Sequence, residues 1–163
     1  MTIPRWLAAT AAAVAAAVLP ACDADNLKSI RPGVTTGAEV EARMGPPGAE
    51  YGNEDGSVTW EYSRQPNGIE CYMITLGPDR IVARVEQVLT EANLARVGEG
   101  MDREQVRRLL GRPGSVNIYE RLNEEVWDWR VAGTIPTEEA HFHVHFDTGS
   151  GLVKKTSRRV ETR

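Results

Sequence analysis

The sequence predicts an α+β fold of two tandem repeats, each with two helices followed by three antiparallel strands. The stretch GVTTGAEVEARMGPPG at 33–48 recurs as GMDREQVRRLLGRPG at 100–114, and after each copy the apolar residues change from helical spacing to alternation. A unit of this size buries little apolar surface by itself. We therefore expect the repeats to pack together, with the helices on one face of antiparallel sheet.

Each copy of the repeated stretch predicts one short helix with a defined start and end. Thr36 stands three residues before Glu39, and Asp102 stands three residues before Gln105. This is the spacing of a capping box, which satisfies backbone amides at the start of a helix. Apolar residues four apart then share one helix face, and a glycine with a proline close behind ends the helix. These positions are Val40, Met44 and Gly45 in the first copy and Val106, Leu110 and Gly111 in the second.

Alternating apolar residues predict three strands after each of these helices. The segments GPDR at 77–80 and DTGSG at 147–151 have the composition of hairpin turns. A shorter helical turn is predicted before each capped helix, at 25–30 and 90–97. In the first repeat the predicted strands contain Val58, Trp60 and Tyr62, then Tyr72, Ile74 and Leu76, and then residues 80–88. In the second repeat they contain Trp127, Trp129 and Val131, then Phe142, Val144 and Phe146, and then residues 151–160.

The first 21 residues predict a signal peptide, which leaves the first repeat at 22–89 and the second at 90–163. Arg5 precedes the apolar run WLAATAAAVAAAVL, which has the length of a secretory signal core. The run is shorter than the roughly 20 residues that a membrane-spanning helix needs. Its end, LPAC, resembles the lipobox of bacterial lipoproteins, in which the lipid is attached to Cys22. An ordinary secretory signal is the alternative.

The two cysteines, Cys22 and Cys71, have linked interpretations. If Cys22 carries lipid, Cys71 has no partner within the chain, and its place in IECYMITL is typical of a buried small hydrophobic residue. If Cys22 is not lipidated, a disulfide between the two becomes possible.

Composition and motifs favour a binding protein over an enzyme. The formal net charge is −4, and the one basic cluster, KKTSRR at 154–159, is expected to be a solvated strand edge, so no nucleic-acid partner is predicted. The sequence contains no G-x-S-x-G, phosphate-binding glycine loop or H-E-x-x-H motif. We therefore predict no catalytic residues, cofactor or small-molecule substrate. The acid pair Glu124 and Glu125 is expected to be solvated beside a turn.

The segment HFHVHF contains the most chemically suggestive residues, His141, His143 and His145. They are weak candidates for zinc ligands, because three imidazoles in a row on one straight strand do not converge easily on a single ion. Strand alternation instead predicts that they lie opposite the intervening apolar residues, on a solvent or partner face. Together with Asp128 and Arg130 they form the predicted partner face.

Four aromatic residues occupy matched positions in the two repeats: Trp60, Tyr62, Trp127 and Trp129. Such residues are enriched at binding hot spots, so a binding platform is one interpretation. Their repeated positions favour the other, a core role beneath the helices.

The order of these motifs resembles the SmpA/OmlA (BamE-like) family of outer-membrane assembly lipoproteins. After the lipobox come I-x-x-G-V-T at 30–35, V-x-x-x-M-G-P-P at 40–47 and W-x-Y at 60–62, and then G-M-D at 100–102, V-x-x-L-L-G-x-P at 106–113 and W-x-W at 127–129. The resemblance implies a non-enzymatic accessory component of outer-membrane β-barrel assembly. Its partners would be envelope proteins, and a lipid anchor would hold it on the periplasmic face of the outer membrane.

Two further expectations accompany this resemblance. Asp23 directly follows Cys22, which in some bacteria retains a lipoprotein at the inner membrane. The doubled arrangement is also similar to β-lactamase inhibitor proteins. It implies an alternative function, an inhibitor-like module that clasps an enzyme such as a β-lactamase with its free sheet face.

Overall fold

The computed structural model describes residues 23–135 and 137–162, which form two halves of similar construction. Each half has two helices followed by a four-stranded sheet. The first half contains α1 (Asp23–Lys28), α2 (Gly37–Met44), β1 (Ala49–Gly52), β2 (Val58–Ser63), β3 (Cys71–Leu76) and β4 (Val82–Gln87). The second contains α3 (Glu91–Leu94), α4 (Arg103–Leu110), β5 (Ser115–Tyr119), a short 3-10 helix (Glu120–Leu122), β6 (Glu124–Ala132), β7 (Glu138–Asp147) and β8 (Val153–Thr162).

Both sheets are antiparallel meanders, ordered β1-β2-β3-β4 and β5-β6-β7-β8. The α+β class and the antiparallel pairing predicted from the sequence are confirmed. The prediction of three strands per repeat is wrong, because each half has a fourth strand directly after its capped helix. These strands, β1 and β5, are short and lie at sheet edges, so they lack the long apolar alternation that marks a strand in a sequence.

The predicted capping boxes are present at the starts of α2 and α4. The Glu39 amide donates to the Thr36 hydroxyl at 3.3 Å, and the Thr36 amide donates to the Glu39 carboxylate at 2.8 Å. Asp102 and Gln105 exchange the corresponding bonds at 2.8 and 2.9 Å. Satisfying these amides fixes where each helix begins.

The two halves also repeat the contacts that tie helix to sheet. The Tyr62 hydroxyl donates to the Gly45 carbonyl at 3.0 Å, and the Trp129 indole donates to the Gly111 carbonyl at 3.2 Å. Gly45 and Gly111 end the two capped helices with φ of 78° and 77°, a region that glycine occupies without strain. The matched sequence positions therefore make matched structural contacts.

The layers alternate between helix and sheet. In the first core, α1 and α2 cover one face of the first sheet, burying Val40, Trp60 and Ile74. In the second core, Val106 and Leu110 of α4 lie in one cluster with residues from both sheets. The cluster includes Cys71 and Met73 from the first sheet and Trp127, Trp129, Phe142 and Phe146 from the second.

The expectation of helices on only one face of each sheet is therefore wrong for the first sheet, which has α2 on one side and α4 on the other. The four aromatic residues at matched positions are core residues. Cys71 is fully buried and has no disulfide partner among the described residues, and burial raises the pKa of its thiol to about 12. Cys22 lies outside the described residues.

None of the helices in the described ranges combines the length and apolar character needed to span a bilayer.

Candidate functional site

One face of the second sheet points away from α3 and α4, and we call it the outer face. Strand alternation places Phe142, Val144 and Phe146 in the core, and therefore turns the residues between them outward. The five residues predicted as a partner face all lie here. The outer face consists of Glu124, Val126, Asp128 and Arg130 of β6, His141, His143 and His145 of β7, and Lys155, Ser157 and Arg159 of β8.

Asp128 lies between two of the three histidines. Its carboxylate is 2.8 Å from Nδ1 of His141 and 2.7 Å from Nε2 of His143. Burial lowers the pKa of His143, an effect that the Asp128 carboxylate opposes but does not cancel. The His143 ring is therefore held closer to its neutral form than an exposed histidine would be.

His145 pairs with a second acid, Glu124. Nδ1 of His145 is 2.9 Å from the Glu124 carboxylate, and its Nε2 is 2.9 Å from the Ser157 hydroxyl. Lys154 and Lys155 reach the same carboxylate at 3.2 and 3.5 Å. The hydrogen bond from His145 and the nearby lysines lower the pKa of Glu124.

The expectation that Glu124 and Glu125 are solvated is wrong. Glu124 is buried beneath the side chains of β7 and β8. Glu125 points to the opposite side, where it accepts two hydrogen bonds from Arg103 and one from the Trp127 indole. Both acids lie within β6, which begins three residues before Trp127, the first residue of the predicted apolar alternation.

A loop of the first half borders the outer face. The Gln65 side chain donates to the Arg130 carbonyl at 2.6 Å and accepts from the Arg130 amide at 3.0 Å. Strand β5 begins opposite Asp128 and does not reach Arg130. The Gln65 side chain therefore makes the hydrogen bonds to the Arg130 backbone that a longer β5 would make. The Arg130 guanidinium donates to the Asn67 carbonyl at 3.2 Å and to Glu139 at 3.1 Å. The first half thus fixes the position of a predicted partner residue in the second.

Within the described ranges, no group of three or more His, Cys, Asp or Glu side chains is arranged to hold a metal ion. The rings of His141, His143 and His145 follow the strand, with successive centroids 6.3 and 6.5 Å apart. The outer face is a polar surface on which His141, His143 and His145 are paired with acids of the neighbouring strand.

A cleft of about 570 Å³ lies where the first sheet meets α3 and α4. We call it the junction cleft. Its lining combines the apolar side chains of Met73, Met101 and Leu109 with the arginines Arg84 and Arg108. The sequence analysis missed this cleft, because its two walls come from different halves and no local pattern specifies how the halves pack.

Comparison with known proteins supports the family resemblance for the second half. Residues 86–156 match the family model described as "Outer membrane protein assembly factor BamE domain". The matched segment contains α3, α4 and the β6 and β7 residues of the outer face. The resemblance to the BamE-like family predicted from the sequence is thereby confirmed for these residues.

The other comparisons give weaker likenesses. No curated protein matches the chain. A candidate β-lactamase inhibitor protein from Streptococcus mutans is 12% identical, with a TM-score of 0.33 over 77% of this chain and 82% of that one. A DUF4309 family protein from Bacillus subtilis subsp. subtilis str. 168 is 13% identical, with a TM-score of 0.32 over 83% of this chain and 84% of that one.

Proposed function

We propose that this chain is a lipid-anchored periplasmic binding protein that acts as an accessory component of outer-membrane β-barrel protein assembly. The observation that carries the proposal is the match of residues 86–156 to the BamE domain, which is described as an outer-membrane protein assembly factor domain. The matched segment includes the outer-face residues of β6 and β7 but not Ser157 and Arg159 of β8, so most of the surface that we assign to partner contact lies in the segment shared with the family.

The proposed anchor is a lipid on Cys22, after removal of 1–21. The first described helix begins at Asp23, so the lipid would hold the folded domain directly against the membrane surface. Each buried methylene contributes about 0.8 kcal/mol, and two or more acyl chains give stable attachment. We propose the periplasmic side of the outer membrane as the location. Asp23, which follows the proposed anchor, would favour the inner membrane only in those bacteria where an aspartate at this position retains a lipoprotein there.

The outer face would act as a preorganised contact surface. The Asp128 carboxylate holds His141 and His143, while Glu124 holds His145, so these side chains do not have to be ordered when a partner binds. Avoiding this loss of side-chain entropy favours association. The role needs no catalytic group, cofactor, nucleic acid or small-molecule substrate, and we propose that the protein is not an enzyme.

The test is capture of partners in living cells. A photo-reactive amino acid replaces Ser157, an exposed residue of the outer face, in the tagged full-length protein, and captured proteins are identified from separated membranes by mass spectrometry. We expect β-barrel assembly subunits in the outer-membrane fraction. Position Glu54, exposed in the turn between β1 and β2, is the matched control and should capture none of them.

Other outcomes would count against the proposal. Capture of only inner-membrane proteins would contradict the location and the partner together. Capture of a soluble enzyme such as a β-lactamase would favour the alternative that the sequence leaves open, an inhibitor-like module. A Cys22→Ala variant that stays with the outer membrane as firmly as the original protein would contradict the proposed anchor.

A further inference from the structure

The two sheets have four edge strands, β1, β4, β5 and β8. An edge strand has backbone amides and carbonyls that no neighbouring strand satisfies, so it can pair with another chain. Soluble proteins commonly prevent such pairing with charged side chains or with a covering element. The four edges of this protein can be compared on that basis.

Three of the edges are protected. Strand β4 carries Arg84 and Glu86, which form an ion pair at 2.9 Å. At β1, the Arg108 guanidinium of α4 lies over the Tyr51 ring and donates to the Gly52 carbonyl at 3.4 Å. Strand β8 has the highest charge of the four, with Lys154, Lys155, Arg158, Arg159 and Glu161.

Strand β5 has no such protection in the described part of the chain. Its sequence, SVNIY, contains no charged residue. Val116 is 49% exposed, Ile118 is 64% exposed and Tyr119 is 50% exposed, and Leu122 of the following turn is 60% exposed. The described ranges contain nine large hydrophobic side chains that are exposed, and four of the nine lie within residues 116–122.

We propose that the open edge of β5 binds an extended segment of a partner polypeptide, which adds to the second sheet as a fifth strand. The backbone of β5 would supply hydrogen bonds, as in other cases of strand addition. Val116 and Ile118 lie on the same side of the strand, because they are two residues apart. The segment that fits is therefore neutral, with apolar side chains at alternate positions that pack against these two residues.

The small size of β5 favours a peptide segment over a second copy of this chain. A five-residue strand is only about 17 Å long. Pairing of two β5 strands would bury much less than the roughly 800 Å² per partner that stable interfaces reach. An extended segment needs only the backbone ladder and the apolar pair. The proposal does not depend on the family match and could hold or fail separately from the proposed function.

The test uses a synthetic ten-residue peptide of alternating valine and threonine, titrated into the purified mature protein. We expect NMR amide shifts confined to 115–119 and their neighbours on β6. Ile118→Lys should weaken binding at least tenfold, because it places a charge on the open edge. Val160→Lys is the matched control, since Val160 is 46% exposed on the other edge of the same sheet, and it should leave binding unchanged.

A second peptide separates backbone pairing from general hydrophobic contact. N-methylation of alternate amides removes the donors that a fifth strand needs, so this peptide should not bind β5. The proposal is overturned if the methylated peptide binds equally well, or if shifts appear only in the junction cleft or on the outer face. Concentration-dependent dimerisation that Ile118→Lys abolishes would also overturn it, because the occupant would then be a second copy.

Discussion

At the residue scale, Glu61 is the most unusual side chain of the junction between the halves. It is fully buried, yet it is a carboxylate. It accepts hydrogen bonds from the Tyr51 hydroxyl at 2.6 Å and from the Arg112 amide at 2.9 Å, and the Arg107 guanidinium lies 3.9 Å away. Burial, together with the Glu61 carboxylate, raises the pKa of Tyr51 to about 12. Glu61 thus joins the first sheet to the segment that follows α4.

Replacing Glu61 should therefore destabilise the whole chain. Glu61→Ala leaves the Tyr51 hydroxyl and the Arg112 amide without an acceptor, and we expect the free energy of unfolding to fall by about 2–4 kcal/mol. Urea denaturation measures this loss. Glu54→Ala, in an exposed turn, is the matched control and should change stability by less than about 0.5 kcal/mol. Equal effects for the two variants would contradict the role given to Glu61.

The pairing on the outer face predicts a pH dependence near neutrality. Because burial lowers the pKa of His143 in the folded state, the unfolded chain takes up a proton as the pH falls below about 6.5, before the folded chain does. The contribution of His143 to the free energy of unfolding is therefore present above about pH 6.5 and is lost as the pH falls toward the pKa of His143 in the folded state. Asp128 opposes this shift, while Arg159 and His141 reinforce it.

We expect urea unfolding midpoints to decrease between pH 7.5 and pH 5.5, and to decrease less in His143→Gln. Glu124 does not interfere in this window, because its lowered pKa affects stability only below its usual value of 4.5. The interpretation would be wrong if the original protein and the variant lost stability in parallel.

Some of these residues could be found from the sequence and others could not. Alternation within β7 was enough to assign the histidines to one face, because side-chain direction in a strand follows from position. Glu61 and Gln65 gave no signal, since their partners, Arg112 and Arg130, belong to the other half. Glu124 was misjudged because its burial comes from side chains on two neighbouring strands.

At the element scale, the end of α4 is packed more tightly than the end of α2. Gly111 and Gly45 have nearly the same backbone conformation, with φ of 77° and 78°. A Cβ on Gly45 would meet no atom within 4 Å, whereas a Cβ on Gly111 would collide with the Cys71 sulfur. Gly111 is therefore needed twice, to end the helix and to let the first sheet approach it.

This difference predicts unequal effects of the same substitution. Gly45→Ala should cost about 1–3 kcal/mol, because φ of 78° with ψ of −176° lies in a region that is almost restricted to glycine. Gly111→Ala should cost the same strain plus about 1–3 kcal/mol for overpacking against Cys71. Thermal or urea unfolding of both variants tests this. Adding Cys71→Ala should recover part of the loss in Gly111→Ala, and equal losses in the two single variants would contradict the close approach.

The elements that the sequence predicted are those set by local chemistry. The capping boxes of α2 and α4 involve residues three apart, so their spacing alone defined both helix starts. Strands β1 and β5 were missed, because each is held mainly by pairing with a longer neighbour, β2 or β6. The junction cleft was also missed, because it forms only where the two halves contact each other and those residues are far apart in the sequence.

At the scale of the whole molecule, α4 joins the two halves into one folded unit. Its buried residues Val106 and Leu110 share a core with Cys71 and Met73 of the first sheet and with Trp129 of the second. The first half by itself would leave that face of its sheet in water. We therefore expect the halves to unfold together.

Hydrogen exchange followed by mass spectrometry in increasing urea tests this expectation. Peptides from β3 and β7 should lose protection at the same urea concentration, and Gly111→Ala should shift both equally. Two separate transitions, with only β7 affected by the variant, would contradict a shared core.

The proposed role of this protein in outer-membrane β-barrel assembly, from a lipid anchor, can be tested directly in cells. The most direct measurement is the amount of folded β-barrel protein in the outer membrane after deletion of the coding sequence. We predict that the amount falls, that the original chain restores it, and that the Cys22→Ala chain does not. Unchanged amounts after deletion, or full restoration by Cys22→Ala, would contradict the claim.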